Sequence, residues 1–452
     1  MAVTKRLTEG NIYARFVLFA LPLILSSLLS QAYSTVDGII AGKFVSEHAL
    51  GAIGATSSFE SLLNALFHGF AAGFAIYISH LFGKGNVRDI KRDVVGTVSF
   101  VATVSLLLSV LVITLRGPIL DFLNVDPVLY RDAEIYFMIY AAGYAVLYVN
   151  MCLVETLHAL GISSFSLYVS LLSAVLNIGG NLFAVLVLDL GVAGLAISTV
   201  FSSAMATVIY LVLLRRAFRE MGAAASCRFS LAGVRHSMKY TLPTALQKMA
   251  FLGIAFLIAP SINALGADAT TGYSIANRMY ALATIGLWAM SSSLGCYTGQ
   301  CAGEGDTQKL RRGLRVGFLL NAATLLPFVL TIIGFAEPII SIFFPDEHGS
   351  AAFGYAVRYA TVFLPFVYVQ LVGHVFHTYM RSLGRVPTVL AITIVGSTVR
   401  LVATLLLIPL LHLDGAYVGQ IISWAVDAAL SFVLYVFLYR TDRQLSRIVG
   451  GA

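Results

Sequence analysis

Gly83-Lys84-Gly85-Asn86-Val87-Arg88-Asp89-Ile90-Lys91-Arg92 returns later in the chain as Gly303-Glu304-Gly305-Asp306-Thr307-Gln308-Lys309-Leu310-Arg311-Arg312. The two runs lie nearly half the chain apart, and each closes one long apolar stretch and opens another. An echo at that distance predicts two homologous halves, the pattern of duplicated membrane transporters. Leu21-Pro22 with Leu242-Pro243, Ala49 with Ala269, and Gly194 with Gly415 repeat at nearly the same step.

The halves are built for lipid. Hydrophobic residues make up 58% of 452, charged residues 11%, and mean hydropathy is +0.87, whereas soluble domains carry about 25% charged residues. Crossing a bilayer takes about 20 apolar residues. Twelve such runs are predicted, at 14–41, 54–82, 94–115, 131–158, 164–188, 192–214, 238–264, 272–299, 314–334, 352–380, 387–410 and 414–439. Pro22, Pro243, Pro260 and Pro365 fall inside runs, which membrane helices tolerate. The fold class expected is an all-α integral membrane protein with twelve transmembrane helices in two six-helix lobes. Six spans return the chain to its starting side, so the repeat is parallel. The expected division is an N-terminal lobe at 1–220, a basic connector at 215–237 containing Met221-Gly222-Ala223-Ala224-Ala225-Ser226, and a C-terminal lobe at 238–452.

Lys and Arg set the orientation. With the N-terminus inside, 22 of the 29 basic residues fall in inward loops and tails, four fall outside (Lys43, Arg116, Arg131, Arg358), and Lys248, Arg278 and Arg400 lie within spans. This obeys the positive-inside rule and places both termini and the 84–92 and 304–312 segments in the cytoplasm, in a plasma-membrane protein. The net charge of +7 is therefore a topology signal rather than a nucleic-acid footprint. The first span is too long for a signal peptide and contains Asp37. Cys152, Cys227, Cys296 and Cys301 lack disulfide or zinc spacing. No phosphate-binding loop and no nucleophile–base pair at a recognisable spacing appear, so neither nucleotide-driven pumping nor enzymatic activity is expected, and no cofactor. Lipid and small amphipathic molecules are the partners expected, and the protein is expected as a monomer.

Leu21-Pro22 with Thr35-Val36-Asp37, Gly194-Leu195-Ala196-Ile197-Ser198-Thr199, Gly299-Gln300 with Gly303-Glu304-Gly305-Asp306, and Arg381-Ser382-Leu383-Gly384-Arg385 appear in this order across twelve spans. In this the chain resembles the multidrug and toxic compound extrusion (MATE) transporters, in the bacterial DinF-like or MepA-like branch. The resemblance implies export of organic cations and other amphipathic compounds in exchange for protons or sodium. Lipid-linked oligosaccharide flippases share the superfamily's fold and are the alternative function.

A mid-span carboxylate costs roughly 2.5–3.5 kcal/mol on insertion scales and marks a functional site by default. Asp37 qualifies best. By the resemblance it matches the N-lobe carboxylate that couples to cations, with companions at Asn177, Asn181 and Thr199. The sequence departs from the family pattern at Asn181, where many members carry a second Asp. One charge makes a poor cage for sodium, which favours several hard oxygens, so protons are the coupling ion expected, with sodium at Asp37 the alternative. Asn177 and Asn181 share one helix face.

Glu60, Gln247, Arg278, His374 and Arg400 are the candidates for the substrate cleft. Glu155, His377 and Asp427 are further intramembrane polar groups, with weaker signals at His68 and His80. The basic in-span residues all lie in the C-terminal half, and Asp37 and Glu60 in the N-terminal half. That asymmetry admits anionic or zwitterionic substrates.

Overall fold

A computed structural model describes residues 6–45, 47–123, 125–222, 231–343, 350–438 and 445–446. Among the described residues it contains sixteen α-helices and no strand. The first half runs α1 (Ile12–Ile40), a π-helical turn Ala41–Val45, α2 (Glu47–Gly83), α3 (Val87–Thr114), the short α4 (Arg116–Phe122), α5 (Tyr130–Ala142), α6 (Tyr144–Ala159), α7 (Ser164–Leu186) and α8 (Gly191–Glu220). The second half repeats the order: α9 (Leu231–Asn263), α10 (Ala267–Glu304), α11 (Thr307–Gly334), the short α12 (Ala336–Ser341), α13 (Ala351–Arg358), α14 (Val367–Ser382), α15 (Val386–Leu411) and α16 (Leu413–Leu438).

Among the described residues ten helical segments are long and apolar enough to cross a membrane, and α5 with α6, bent by 50°, form an eleventh. The twelfth, α10, spans 38 residues but is less apolar, with Asp268, Arg278 and a Ser-Gly-Cys-Thr-rich stretch near its C-terminal end. That stretch is almost wholly buried in protein, so it does not need the apolar surface that lipid demands. The protein is thus an all-α, multi-pass membrane protein of twelve spans in two six-span sets.

The echoed motif is a helix–turn–helix joint. Gly85 (φ 71°) and Gly305 (φ 80°) adopt the left-handed conformation just past the ends of α2 and α10, where a Cβ would be strained. The next residues cap the following helices: the Asn86 side chain accepts from the Asp89 N–H at 3.3 Å, and that of Asp306 accepts from the Lys309 N–H at 2.9 Å. Most of the expected loops at 84–92 and 304–312 is therefore helix.

Two compact units form, one of Leu21–Ala245 with Arg6, the other of Leu7–Ala20 with the chain from Leu246 onward. This differs from a division at the connector: the start of α1 belongs to the second unit and the start of α9 to the first. Membership changes beside Pro22 and close to Pro243, where the missing N–H interrupts the helix ladder. The connector itself is shorter than 215–237, because α8 continues to Glu220 and α9 begins at Leu231; positions 223–230 lie outside the described residues.

In the first unit, α2 packs on α6 and α5, and α7 on α8. Gly69 and Gly73 let α2 lie against the backbone of α9 at Ala245 and at Tyr240–Thr241, where a Cβ would come within 2.7 Å of main-chain atoms. In the second unit, α15 packs on α16 and α10 on α11. Leu7 and Thr8 are tied there to α10 through Gln300 (2.9 Å) and Glu304 (2.7 Å).

Candidate functional site

Asp37 lies near the end of α1, just before the chain widens into the π-helical turn Ala41–Val45, a distortion that recurs at functional sites. Its carboxylate is half-buried and faces α7. The buried Asn181 donates from Nδ2 to Asp37 Oδ1 at 2.7 Å. Asn177, one turn earlier and also buried, satisfies both ends of its amide when its nitrogen faces the carboxylate. It then donates to Oδ1 at 2.7 Å and Oδ2 at 3.1 Å, and its oxygen accepts from Thr199 Oγ1 at 3.2 Å. Thr199, on α8, has a single hydroxyl proton, which in this arrangement goes to Asn177 rather than to the Leu195 carbonyl 3.0 Å away. The four residues expected to act together are therefore adjacent, on three helices of one unit. Apolar packing by Ile40, Ala41, Val185 and Leu195 holds the surroundings.

The chemistry of this pocket is that of a carboxylate held by N–H donors. Each such charge-assisted bond contributes about 1.5–3 kcal/mol. The alternative orientation of Asn177 presents Oδ1 to Asp37 and donates from Nδ2 to Thr199 Oγ1 at 3.2 Å. Acceptor then faces acceptor unless a proton or cation lies between them. The oxygens that sodium could draw on are the carboxylate, the Asn177 oxygen once turned, Thr199 Oγ1 and the buried Asn181 Oδ1, which has no hydrogen-bond partner among the described residues. Among the described residues no cluster of three His, Cys, Asp or Glu side chains is placed to hold a metal ion.

A second polar centre in the same unit surrounds Glu60. This buried side chain accepts from the Tyr144 hydroxyl at 2.9 Å, and its Oε2 has no hydrogen-bond partner among the described residues. Tyr144 belongs to a series at four-residue spacing, Tyr136, Tyr140, Tyr144 and Tyr148, whose ring centroids succeed one another at 5.8, 6.2 and 5.3 Å. Phe67 stacks on Tyr148 at 3.8 Å. The series passes through the bend at Gly143. The series was not among the residues expected from sequence, although four tyrosines on one helical face are legible in Tyr136 to Tyr148.

The remaining candidates are dispersed through the second unit. Gln247 donates to Thr393 at 2.8 Å, joining α9 to α15 as helix–helix glue. His374 packs edge-on against Trp288 at 4.5 Å, and Lys248 lies over the same indole at 5.5 Å. His377 lies 3.3 Å from Asp427. Arg278 is exposed and lies over the Phe343 ring at 5.5 Å. Arg400 is buried on α15 and reaches the Tyr273 hydroxyl at 3.4 Å. In the first unit, His158 and Glu155 sit 3.8 Å apart, His80 packs near Tyr240, and His68 is exposed.

Comparison with known proteins agrees with this architecture. Over 466 aligned residues the chain is 24% identical to the probable multidrug resistance protein YoeA of Bacillus subtilis (strain 168), covering 99% of this chain and 98% of that one. It is 26% identical over 226 residues, 46% of each chain, to the multidrug export protein MepA of Staphylococcus saprophyticus subsp. saprophyticus. A crystal structure of MATE in complex with MaL6 superposes with a TM-score of 0.88, covering 100% of this chain and 99% of that one at 17% identity, a likeness that establishes the fold. The MatE family model matches residues 22–183 and 243–406, one copy in each half of the duplication that the echo announces, and the chain belongs to the MatE family of transporters.

Proposed function

We propose that the chain is a secondary-active exporter that exchanges protons for cationic or amphipathic small molecules, with Asp37 as the coupling carboxylate. The Asp37 pocket carries this reading, since it joins a carboxylate near the end of the first span to two amides that can present either donors or acceptors. Similarity to a relative named as a multidrug export protein supports the class of cargo. When Asp37 is ionised, Asn177 and Asn181 donate to it and the Asn177 oxygen accepts from Thr199. When a proton binds Oδ2, the carboxyl group becomes a donor and favours the Asn177 oxygen. The amide turns, and its nitrogen donates to Thr199 instead. Charge on α1 is thereby converted into a reversed hydrogen bond to α8. The proton drives transport only insofar as it binds the two arrangements unequally, at about 1.36 kcal/mol per unit of pKa difference between them.

Sodium is the less favoured ion, because two of the three nearest groups offer nitrogen to the carboxylate and Asn181 adds no charge. The proposed setting is the plasma membrane, with the termini and the turns at Gly85 and Gly305 in the cytoplasm, following the distribution of Lys and Arg. The deciding experiment uses proteoliposomes loaded with a cationic fluorescent dye, with a pH gradient and a sodium gradient imposed separately. Dye movement is expected under the pH gradient. Movement under the sodium gradient alone would reject proton coupling, and movement under neither would reject exchange transport of this cargo. For topology, single cysteines placed at Asn86 and Asp306 are expected to resist impermeant thiol reagents in intact cells; rapid labelling of either would invert the orientation.

A further inference from the structure

We propose that the second unit contains a carboxylate-binding subsite centred on Arg400, which receives an anionic group carried by the transported molecule; this deepens the export reading and rests on it. Arg400 stands as far beyond Asn177 as Thr404 stands beyond Asn181, close to the step of the repeat in both cases. The pair thus occupies on α15 the places that the two amides occupy on α7. Ile258, buried, lies as far beyond Asp37 as Pro243 lies beyond Pro22. The duplicated scaffold has lost its carboxylate at one position and gained a guanidinium at the next.

Among the described residues that guanidinium has no counterion. Its one hydrogen bond among the described residues is the 3.4 Å contact of Nη2 with the Tyr273 hydroxyl, and its buried Nε has no partner. Of the unit's acids, Asp414 pairs with Arg358 at 2.8 Å, and Asp427 lies 3.3 Å from His377. Among the described residues no carboxylate forms an ion pair with Arg400. An unpaired charge in a buried intramembrane position is expensive, so a partner is called for.

The surroundings are suited to one. Tyr273 stacks with Tyr417 at 6.0 Å, and Tyr359 lies 4.7 Å from the same ring. Among the described residues the buried Tyr417 hydroxyl and Thr404 Oγ1 have no hydrogen-bond partners, the latter lying against Gly419 of α16. Tyr280, which accepts from Gln370 at 2.6 Å, stacks on Trp424 at 5.9 Å. A guanidinium fork matches a carboxylate in two parallel bonds, hydroxyls complete the remaining lone pairs, and the aromatic walls accept the apolar body of an amphiphile.

The test is equilibrium binding to the purified full chain in detergent with no ion gradient, so that a failure of coupling cannot be mistaken for a failure of the subsite. Rhodamine 110 and its methyl ester, rhodamine 123, share one ring system and differ in whether the carboxylate is free. Fluorescence polarisation is expected to show about tenfold tighter binding of rhodamine 110. Arg400→Gln is expected to bring the ratio close to one by weakening rhodamine 110 alone, Arg400→Lys to leave an intermediate ratio, and Tyr273→Phe to reduce it about threefold. A wild-type protein with no preference for the free carboxylate overturns the proposal. So does an unchanged ratio in Arg400→Gln, or equal loss of both dyes. Should Arg400→Gln fail to elute as a folded species, the ratio in Tyr273→Phe and Arg400→Lys decides in the same way.

Discussion

The pocket beneath Asp37 and the one around Arg400 are the same piece of scaffold with opposite electrical sense. In the first unit a carboxylate on α1 faces two amides on α7; in the second, α9 carries Ile258 and α15 presents Arg400 and Thr404. Glu60 on α2 is matched, at the step that relates Gly85 to Gly305, by Tyr280 on α10. Meanwhile the supports persist: the left-handed glycines at 85 and 305, the capping residues 86 and 306, the short helices Arg116–Phe122 and Ala336–Ser341, and a break in the fourth span of each set. Duplication has preserved what shapes the helices and exchanged what carries charge. Under the proposed reading, such a division of labour would let one unit respond to a cation while the other reads the cargo.

The sharpest way to break this comparison is to remove the negative charge. Asp37→Asn is nearly isosteric and is expected to leave a folded protein whose pH-gradient-driven dye efflux falls at least a hundredfold. The pH dependence should also disappear. In the wild type, lowering pH on the side where Asp37 is accessible favours the protonated arrangement, and raising it restores the ionised one. A variant that still transports at full rate would show that the charge difference between the units has nothing to do with coupling.

A second carboxylate in the same pocket should alter the ion rather than abolish transport. In Asn181→Asp the donor 2.7 Å from Asp37 becomes an acceptor. Two neighbouring carboxylates repel and together favour a cation with several oxygen ligands. The sodium-driven rate relative to the proton-driven rate is expected to rise severalfold in the proteoliposome assay. An unchanged ratio would remove the argument for protons that rests on the vacant charge.

The first pocket was legible in sequence because an in-span Asp is rare and because the resemblance pointed to partners that the fold brings within hydrogen-bond distance. The second was visible only as a buried Arg without surroundings, since the tyrosines that enclose it come from α10, α16 and the break before α14, far apart in the chain. Hydropathy found the spans but averaged across their interruptions. The bend at Gly143 leaves the flanking runs apolar, and Tyr359–Phe366 keeps the composition of a helix while leaving α-helical geometry. Nothing in composition marks where α1 and α9 change unit. That depends on contacts made by Phe16, whose ring packs at 5.2 Å on Tyr297, and by Tyr240 against Gly73.

Glu60 permits a finer comparison within the first unit. It is more deeply buried than Asp37 but meets a phenol rather than paired amides. Glu60→Gln keeps the size and can still accept from Tyr144, so efflux is expected to change less than twofold. A loss as complete as that of Asp37→Asn would give the unit two coupling carboxylates and make the tyrosine series part of the coupling path.

The smallest expected effect lies in the echo itself. Asn86 and Asp306 cap α3 and α11, and replacing such a residue by Ala costs about 0.5–2 kcal/mol. The two should not be equal. The bond from Asp306 is shorter, 2.9 against 3.3 Å, and a carboxylate also interacts favourably with the positive end of the helix dipole. Lys309, which sits 3.0 Å from Glu304 and 3.7 Å from Asp306, further ties the second joint to the end of α10. Thermal unfolding in detergent is therefore expected to show a larger loss for Asp306→Ala than for Asn86→Ala, with efflux by the folded fraction intact in both. Asn86→Asp is expected to be destabilising, because Asn86 Nδ2 donates to the Asp89 carboxylate and an aspartate there would face it with like charge, whereas the second joint carries Lys309 at the matching place. Equal losses for the two alanine variants would mean that backbone geometry at Gly85 and Gly305 fixes these joints and that the cap residues add little; loss of efflux without loss of stability would instead make the joints part of the transport cycle.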